Sequence, residues 1–373
     1  MVIRTITCHH AFNHGAMLQA YALVTYLQSL GHDAKVIDYR PKYMPETQVD
    51  MNLVWPPYDY PIIRQLYLIY SLRGKLREQN RRNALEDFFC NYISITYDQY
   101  RSIEELRDNP PVADMYIAGS DQIWNTSLKN GADPAFYLDF GHPKRKISYA
   151  ASFATRDLKS GSERFVSNAL HNLDAISVRE QSGKDILMTL GYEGQIVVDP
   201  VLLLSREQWN ELIVDIGKTT NERYILVYDF ELKKSPIKPI ARRLASLMGY
   251  KIYSISPSTS YFGFADKAYY ISDPKLFVSL IKHAECVISN SLHGTLFSMI
   301  YGKNFFVMDR KDGLNARMQD LLNHYQLNHR LITSDASDEI LLADIDYDLV
   351  NKRLSADIDL SKSFLQQQIE LAQ

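Results

Sequence analysis

Short apolar runs of strand length alternate with helical stretches twice along this chain, and that alternation restricts it to an α/β fold. Residues 4–8 read as a strand. His14-Gly15-Ala16 then opens a helix with apolar Met17, Leu18, Tyr21, Leu23, Val24, Leu27 and Leu30, closed by Gly31, and residues 34–39 read as the next strand. Strand, helix, strand in so short a span is a parallel crossover unit, because parallel strands need such a connection. Further strands are expected at 115–118, 146–153, 174–178 and 196–203, with helices at 163–173 and 181–190. A second alternation starts near Arg223, with strands at 224–228, 251–255, 286–289 and 305–308 and helices at 237–248, 274–283 and 293–301. A chain of 373 residues exceeds one ordinary core. The expectation is two Rossmann-like, doubly wound domains facing a central cleft, over residues 1–205 and 206–359. The aspartate-rich stretch 335–359 reads as solvated surface, and a closing helix at 360–373 as packed back on the first domain.

Composition narrows the function class. A net charge of −3 gives no global case for nucleic acid. The three cysteines, Cys8, Cys90 and Cys286, are isolated and form no CxxC, which fits free thiols in a reducing compartment. No signal peptide opens the sequence, and no apolar run approaches the ~18 residues of a membrane span. A cytoplasmic location is expected.

Pro41, Pro45, Pro56, Pro57 and Pro61 break the pattern and mark a long loop or lid. A basic helix follows, with Arg64, Arg73, Lys75, Arg77, Arg81 and Arg82 among Leu66, Tyr67, Ile69, Tyr70 and Leu72. Residues 51–82, including the aromatic Trp55-Pro56-Pro57-Tyr58-Asp59-Tyr60, fit reversible contact with an anionic membrane surface. They also fit, and somewhat better, an amphipathic helix packed on the first domain with solvated arginines.

In an open α/β sheet, ligands bind at the carboxyl ends of strands. Two strings hold those places. Ser289-Asn290-Ser291-Leu292-His293-Gly294-Thr295 follows the strand Cys286-Val287-Ile288 and opens a helix, where free N–H groups and the dipole favour an anion. Ser177-Val178-Arg179-Glu180 follows Ala175-Ile176, and arginine suits a carboxylate or phosphate. The bland reading of Arg179-Glu180 is a surface ion pair, and of His293 a satisfied core histidine. Gly119-Ser120-Asp121-Gln122-Ile123-Trp124-Asn125 ends another strand. It fits a sugar site, with Asp121 to hydroxyls and the Trp124 indole against a ring, or else a helix cap and a core tryptophan. His9, His10 and His14 crowd the first turn, but no carboxylate accompanies them and Cys8 belongs to the strand before it, so no metal site is expected. That turn also lacks GxGxxG and GxxxxGK[ST], which argues against a dinucleotide or a P-loop.

Five strings occur in one order: Asn13-His14-Gly15-Ala16-x-Leu18-Gln19-Ala20-Tyr21-Ala22-Leu23, Gly119-Ser120-Asp121-Gln122-x-Trp124-Asn125, Ser177-Val178-Arg179-Glu180, Asp199-Pro200 and Ser289-x-Ser291-Leu292-His293-Gly294. Together they resemble the polysaccharide pyruvyl transferase family. The resemblance implies a fold similar to GT-B glycosyltransferases, with phosphoenolpyruvate as donor substrate and no further cofactor. It implies a sugar diol in a glycan or lipid-linked precursor as acceptor, and a pyruvate ketal as product, as in capsule or exopolysaccharide assembly. By the same resemblance His293 serves donor binding and catalysis, Arg179 binds donor, and Leu292 meets the donor through its loop, flanked by Ser291 and Gly294. Asn13, His14, Asp121 and Trp124 fall to the acceptor, with Asp121 the candidate for deprotonating a hydroxyl. His14 stands where many members carry an aromatic residue. Two other readings stay open: a GT-B glycosyltransferase using a nucleotide sugar, and a glycan-binding module without catalysis, which would not need the opposed histidine and arginine.

Overall fold

The computed structural model describes residues 1–44, 49–51, 61–213, 222–229, 236–308 and 316–373, apart from the side chains of Pro61 and Arg64. The Trp55–Tyr60 segment therefore lies outside the described residues, as does most of the proline-rich stretch. The first sheet contains β1 (Val2–Ile6), β2 (Asp33–Tyr39), β3 (Ile95–Tyr100), β4 (Met115–Ala118) and β5 (Arg145–Ser148), in the order β3-β2-β1-β4-β5. All its pairs are parallel. A short parallel pair, β6 (Ser177–Val178) and β7 (Gln195–Ile196), continues its edge through bridges Ile147 to Ala175 and Ala151 to Val178. The second sheet contains β8 (Tyr224–Tyr228), β9 (Lys251–Ile255), β10 (Lys267–Tyr269), β11 (Cys286–Ser289), β12 (Asn304–Met308) and β13 (Leu331–Ile332). Its order is β10-β9-β8-β11-β12-β13, again parallel. Central strands such as Tyr-Ile-Leu-Val-Tyr in β8 are buried along their whole length, as a parallel strand covered on both faces must be.

The helices in chain order are α1 (His14–Ser29), α2 (Pro61–Tyr92), α3 (Ile103–Asp108), α4 (Glu163–Leu170), α5 (Gln181–Thr189), α6 (Arg206–Leu212), α7 (Ile237–Met248), α8 (Pro274–His283), α9 (Leu292–Ile300), α10 (Ala316–His324), α11 (Asp338–Leu342) and α12 (Tyr347–Glu370). These are two Rossmann-like units, and in each the strand order reverses once: between β1 and β4, and between β8 and β11. Those reversals open the crevices in which such sheets bind ligands.

The structure departs from the sequence expectation in places with clear causes. The run 196–203 is not one strand. Pairing stops at Ile196, and Asp199 accepts the Val201 N–H at 3.2 Å to cap a short 3-10 turn at Pro200–Leu202. Proline has no N–H to continue a ladder. The edge strand β3, with exposed Tyr97, Asp98 and Gln99, lacks the apolar pattern that marks a strand. The aspartate-rich 335–359 is helical over α11 and the first half of α12: Asp338, Asp348 and Asp359 are exposed, while Leu341, Val350 and Leu354 are buried beneath and Asp357 accepts from His324 and Tyr325. Farther along, α12 touches the first unit, where Ser361 Oγ accepts the Val198 N–H at 2.9 Å and Gln368 Oε1 accepts from Arg145 Nε at 2.9 Å.

The two units share apolar packing. Trp209 in α6 is fully buried, donates Nε1–H to the Val201 carbonyl at 3.0 Å, and lies between Tyr21 of α1 and Phe297 of α9. His14 makes the corresponding polar link. Its Nε2 lies 2.9 Å from the Ser272 carbonyl and its Nδ1 3.1 Å from the Tyr228 hydroxyl, and the ring stacks on Phe277 at 5.1 Å. A neutral imidazole that donates from Nε2 and accepts at Nδ1 satisfies both contacts. Burial, opposed by the Ser272 contact, lowers its pKa to about 4. His14 is thus turned into the second unit, away from the acceptor role expected of it.

A histidine that is neutral when folded and titrates higher when unfolded makes the unfolded chain the better proton acceptor. Stability should therefore be complete above pH ~6.5 and fall as pH drops toward 4, by about 3 kcal/mol from this group. Replacing His14 with Gln should flatten the dependence of melting temperature on pH across that window. A variant with the wild-type slope would show that another group carries it.

Candidate functional site

The carboxyl ends of both sheets open on one cavity of about 590 Å³ between the units. From the first unit it is lined by Asn13 and by Asp121 and Gln122 after β4; from the second, by Asn290, Ser291 and His293 after β11. Each comes from beside a strand-order reversal.

Local sequence explains the placement. Asn13 Oδ1 accepts the Gly15 N–H at 2.8 Å and so caps α1. Ser291 caps α9, its Oγ accepting the Gly294 N–H at 3.4 Å, which puts His293 in the first turn. Gly294 is a packing glycine: a Cβ there would stand 2.8 Å from Ser289 Oγ. Asn290 is held by Asp229 at the end of β8, Nδ2 to Oδ1 at 2.8 Å. Asp121 has φ +76°, a left-handed conformation that costs energy for a residue with a side chain and that clusters at functional sites.

Behind the cavity wall lies a buried charge network. Arg179 is only 2% exposed; its Nη1 donates to Asp199 Oδ2 at 2.7 Å, its Nη2 stands 3.5 Å from Asp121 Oδ1, and its Nε 3.6 Å from Glu180 Oε2. The pair Arg179-Glu180 is therefore not a surface ion pair. Burial would lower the arginine's pKa, but Asp199, Asp121 and Glu180 together raise it. The same Asp199 Oδ2 lies 3.4 Å from His293 Nε2. Burial pushes this carboxyl up, but His293 and Arg179 outweigh it and hold Asp199 well below the usual carboxylate range. Glu180 is raised by burial despite Arg179.

His293 is fixed on its other side by α1. A Cβ built on Gly15 would stand 2.0 Å from His293 Nδ1 and 2.4 Å from Cγ. Only glycine lets the first turn of α1 lie against the ring, so this helix start and the histidine are placed by each other across the interface.

The candidates divide. His293, Ser291, Leu292, Asp121 and Asn13 line the cavity together. Arg179 does not; it faces Asp199, Asp121 and Glu180 and opens on a different cavity. Trp124 is core: fully buried, it donates Nε1–H to the Phe136 carbonyl at 3.0 Å and stacks on Tyr137 at 5.4 Å, so it offers no sugar a face. His9 and His10 go separate ways, to Asp38 at 3.2 Å and Glu86 at 2.9 Å. Among the described residues no group of three or more His, Cys, Asp or Glu side chains could hold a metal.

Three further residues enter the site. Asp199 appears in the sequence only as part of an Asp-Pro motif, with nothing to show that it backs a histidine almost a hundred residues away. Lys129 and Arg317 bring positive charge to the cavity lining. With the Gln122 amide oxygen turned to its guanidinium, Arg317 donates across the interface from Nη2 at 2.9 Å and Nη1 at 3.1 Å. Arg317 and Leu292 also line a second cavity of about 480 Å³ on the far side of Asp199, so they form the wall between the two. No local motif marks either cation.

A family model described as polysaccharide pyruvyl transferase matches residues 13–312. None of the curated proteins matches in sequence. Solved structures of similar fold include UGT89C1 from Arabidopsis thaliana, at 11% identity and TM-score 0.48, covering 100% of this chain and 99% of that one. The glycosyltransferase SnogD from Streptomyces nogalater follows, at 11% identity and TM-score 0.47, covering 99% of each chain. A UDP-GlcNAc 2-epimerase from Neisseria meningitidis, bound to UDP-GlcNAc, has 12% identity and TM-score 0.47, covering 98% of this chain and 100% of that one.

Two substitutions test the arrangement. Gly15→Ala adds a methyl where the His293 ring stands, and should cost about 1–3 kcal/mol in thermal unfolding. Asp199→Asn removes the charge shared by Arg179 and His293 and should cost ~3 kcal/mol or more. Unchanged melting temperatures in both would mean that the interface does not have this packing.

Proposed function

We propose that this chain, which belongs to the polysaccharide pyruvyl transferase family, moves the enolpyruvyl group of phosphoenolpyruvate onto two hydroxyls of one sugar, releasing phosphate and leaving a pyruvate ketal. The acceptor in this reading is a glycan or lipid-linked precursor of capsule or exopolysaccharide, met on the cytoplasmic side of a membrane to which the enzyme binds peripherally. One observation carries the proposal: His293 and Asp121 reach the same cavity from opposite units, with a carboxylate behind the histidine and Lys129 and Arg317 in the lining.

The donor carries a carboxylate and a phosphate. Arg317, Lys129 and the N–H groups at the start of α9 are the positive elements placed to hold them. Arg179 acts one layer back, fixing Asp199 and Asp121 rather than meeting the donor. The first step puts a proton on the donor's methylene carbon and leaves an oxocarbenium-like centre at C2. His293 is the proton donor, oriented by Asp199 as a paired carboxylate orients a catalytic imidazole. A sugar hydroxyl then bonds to C2 and gives its proton to Asp121. Phosphate leaves with the electron pair of its C–O bond, and the second hydroxyl closes the ketal. Its proton departs with phosphate; Asp121 then releases the first hydroxyl's proton to water and His293 takes one up from water, so over a full cycle the methyl and the phosphate account for both hydroxyl protons.

The experiment is phosphate release from phosphoenolpyruvate with candidate lipid-linked sugars, with mass gain of the acceptor as second readout. His293→Ala should lower turnover by about a hundredfold or more. Arg317→Ala should raise the KM for phosphoenolpyruvate about tenfold or more, the loss expected of a charge-assisted contact. No step in this scheme uses a metal, so enzyme treated with a chelator should keep its rate. Turnover of a nucleotide sugar in place of phosphoenolpyruvate would move the chain to glycosyl transfer, and full activity in His293→Ala would remove the histidine from the mechanism.

A further inference from the structure

The long helix α2 has two unlike halves. Its second half belongs to the first unit: Leu85, Phe88 and Phe89 are buried, and Arg81 and Arg82 are paired with Glu78 at 2.8 and 3.0 Å. Its first half leaves its apolar face uncovered. Ile62 is 74% exposed, Leu66 62% and Tyr70 71%, and Ile63, Ile69 and Leu76 are exposed beside them. At ~100° per residue these six positions share one face of about 140°, a stripe wide enough to be buried, yet it is open to solvent.

Charge along the same half is one-sided. Residues 61–77 contain Arg64, Arg73, Lys75 and Arg77 and no aspartate or glutamate; the first acidic residue is Glu78, where the helix meets the body. The exposed apolar positions crowd between 62 and 72, and Arg73, Lys75 and Arg77 form a collar behind them. A tip of about twelve residues spans ~18 Å. An apolar tip ahead of a cationic collar matches a bilayer edge, where side chains enter the acyl boundary and cations meet anionic headgroups. A second copy of this chain fits less well, because pairing two such tips brings together two segments, 61–77, that contain four cations and no acidic residue each. No described helix is long and apolar enough to cross a membrane.

The root of the helix lies beside the active-site cleft. Arg81 Nη1 donates to the Phe12 carbonyl at 3.3 Å, one residue before the cavity-lining Asn13, and Tyr270 of the second unit donates to Glu78 at 3.3 Å. We propose that residues 61–77 of α2 insert their apolar tip into an anionic lipid surface and so hold the mouth of the cleft at the membrane. This deepens the reading of a lipid-linked acceptor, but the surface can be measured without that chemistry.

The test is sedimentation of the full chain with vesicles of phosphatidylcholine containing 30% phosphatidylglycerol (about a third anionic lipid, to engage the collar), against phosphatidylcholine alone. Wild type should bind the anionic vesicles at least tenfold more tightly, and high salt should weaken that binding. Arg73→Glu with Lys75→Glu should abolish the preference for anionic lipid. Ile62→Ser, Leu66→Ser and Tyr70→Ser together should remove binding at either salt while the melting temperature holds, since these side chains are largely exposed. Wild type that ignores anionic vesicles at low salt overturns the proposal. So does a lipid-free dimer, seen by sedimentation velocity, that the tip variant dissolves. The rise in melting temperature with phosphoenolpyruvate, measured on the same proteins, tests the donor separately: its absence in a vesicle-binding wild type would count against the chemistry and not the surface.

Discussion

Asp199 binds the site together by charge. Its Oδ2 takes Arg179 Nη1 at 2.7 Å and lies 3.4 Å from His293, at a depth where an uncompensated ion would be costly. Arg179 in turn faces Asp121 and Glu180, so carboxylates that follow β4, β6 and β7 converge on one guanidinium. The strand ends of the first unit are thereby locked relative to one another. His293 comes from the second unit onto this cluster. Its position depends on both halves being docked, which makes the apposition of the units a requirement of the site.

Steric fit at the interface reinforces the electrostatics. Gly15 lies against the His293 ring, Trp209 sits between Tyr21 and Phe297, and His14 reaches Tyr228 and Ser272. These contacts set how far apart the units stand, and with that the size of the front cavity. Arg317 and Leu292 separate that cavity from the rear one, so a shift of α10 would act on both. The neutral state of His14 ties the contact to protonation, because a charged imidazole would have to be held in a site that burial disfavours.

The exposed half of α2 stands apart from this economy of contacts. Near the cleft Arg179 is paired with Asp199 and Asp121, whereas here Ile62, Leu66 and Tyr70 face outward from a stretch, 61–77, that contains four cations and no acidic residue. The helix is rooted where both units meet its middle turn, at Arg81 and Glu78. Whatever holds the tip will therefore also orient the cleft.

Much of this was legible in the sequence because it is local. Alternating apolar runs and amphipathic helices predicted two doubly wound sheets, and the lack of glycine-rich phosphate loops turned attention to the strand ends carrying Asp121, Arg179 and His293. Exposure and pairing are not local. Trp124 stood in a polar loop and His14 at a helix start, and they went into the core and the interface, where the rings of Tyr137 and Phe277 stack on them. Arg179 stood out as a strand-end arginine, but the carboxylates that face it, Asp121, Glu180 and Asp199, come together only in the fold. Arg317 and Lys129 carried no motif at all, since a cation's part in a cavity depends on what surrounds it there. Sequence periodicity records which face of an element is apolar, and so it determined the architecture. Which charges meet, and which remain to act on a ligand, was decided only when two sheets folded against each other.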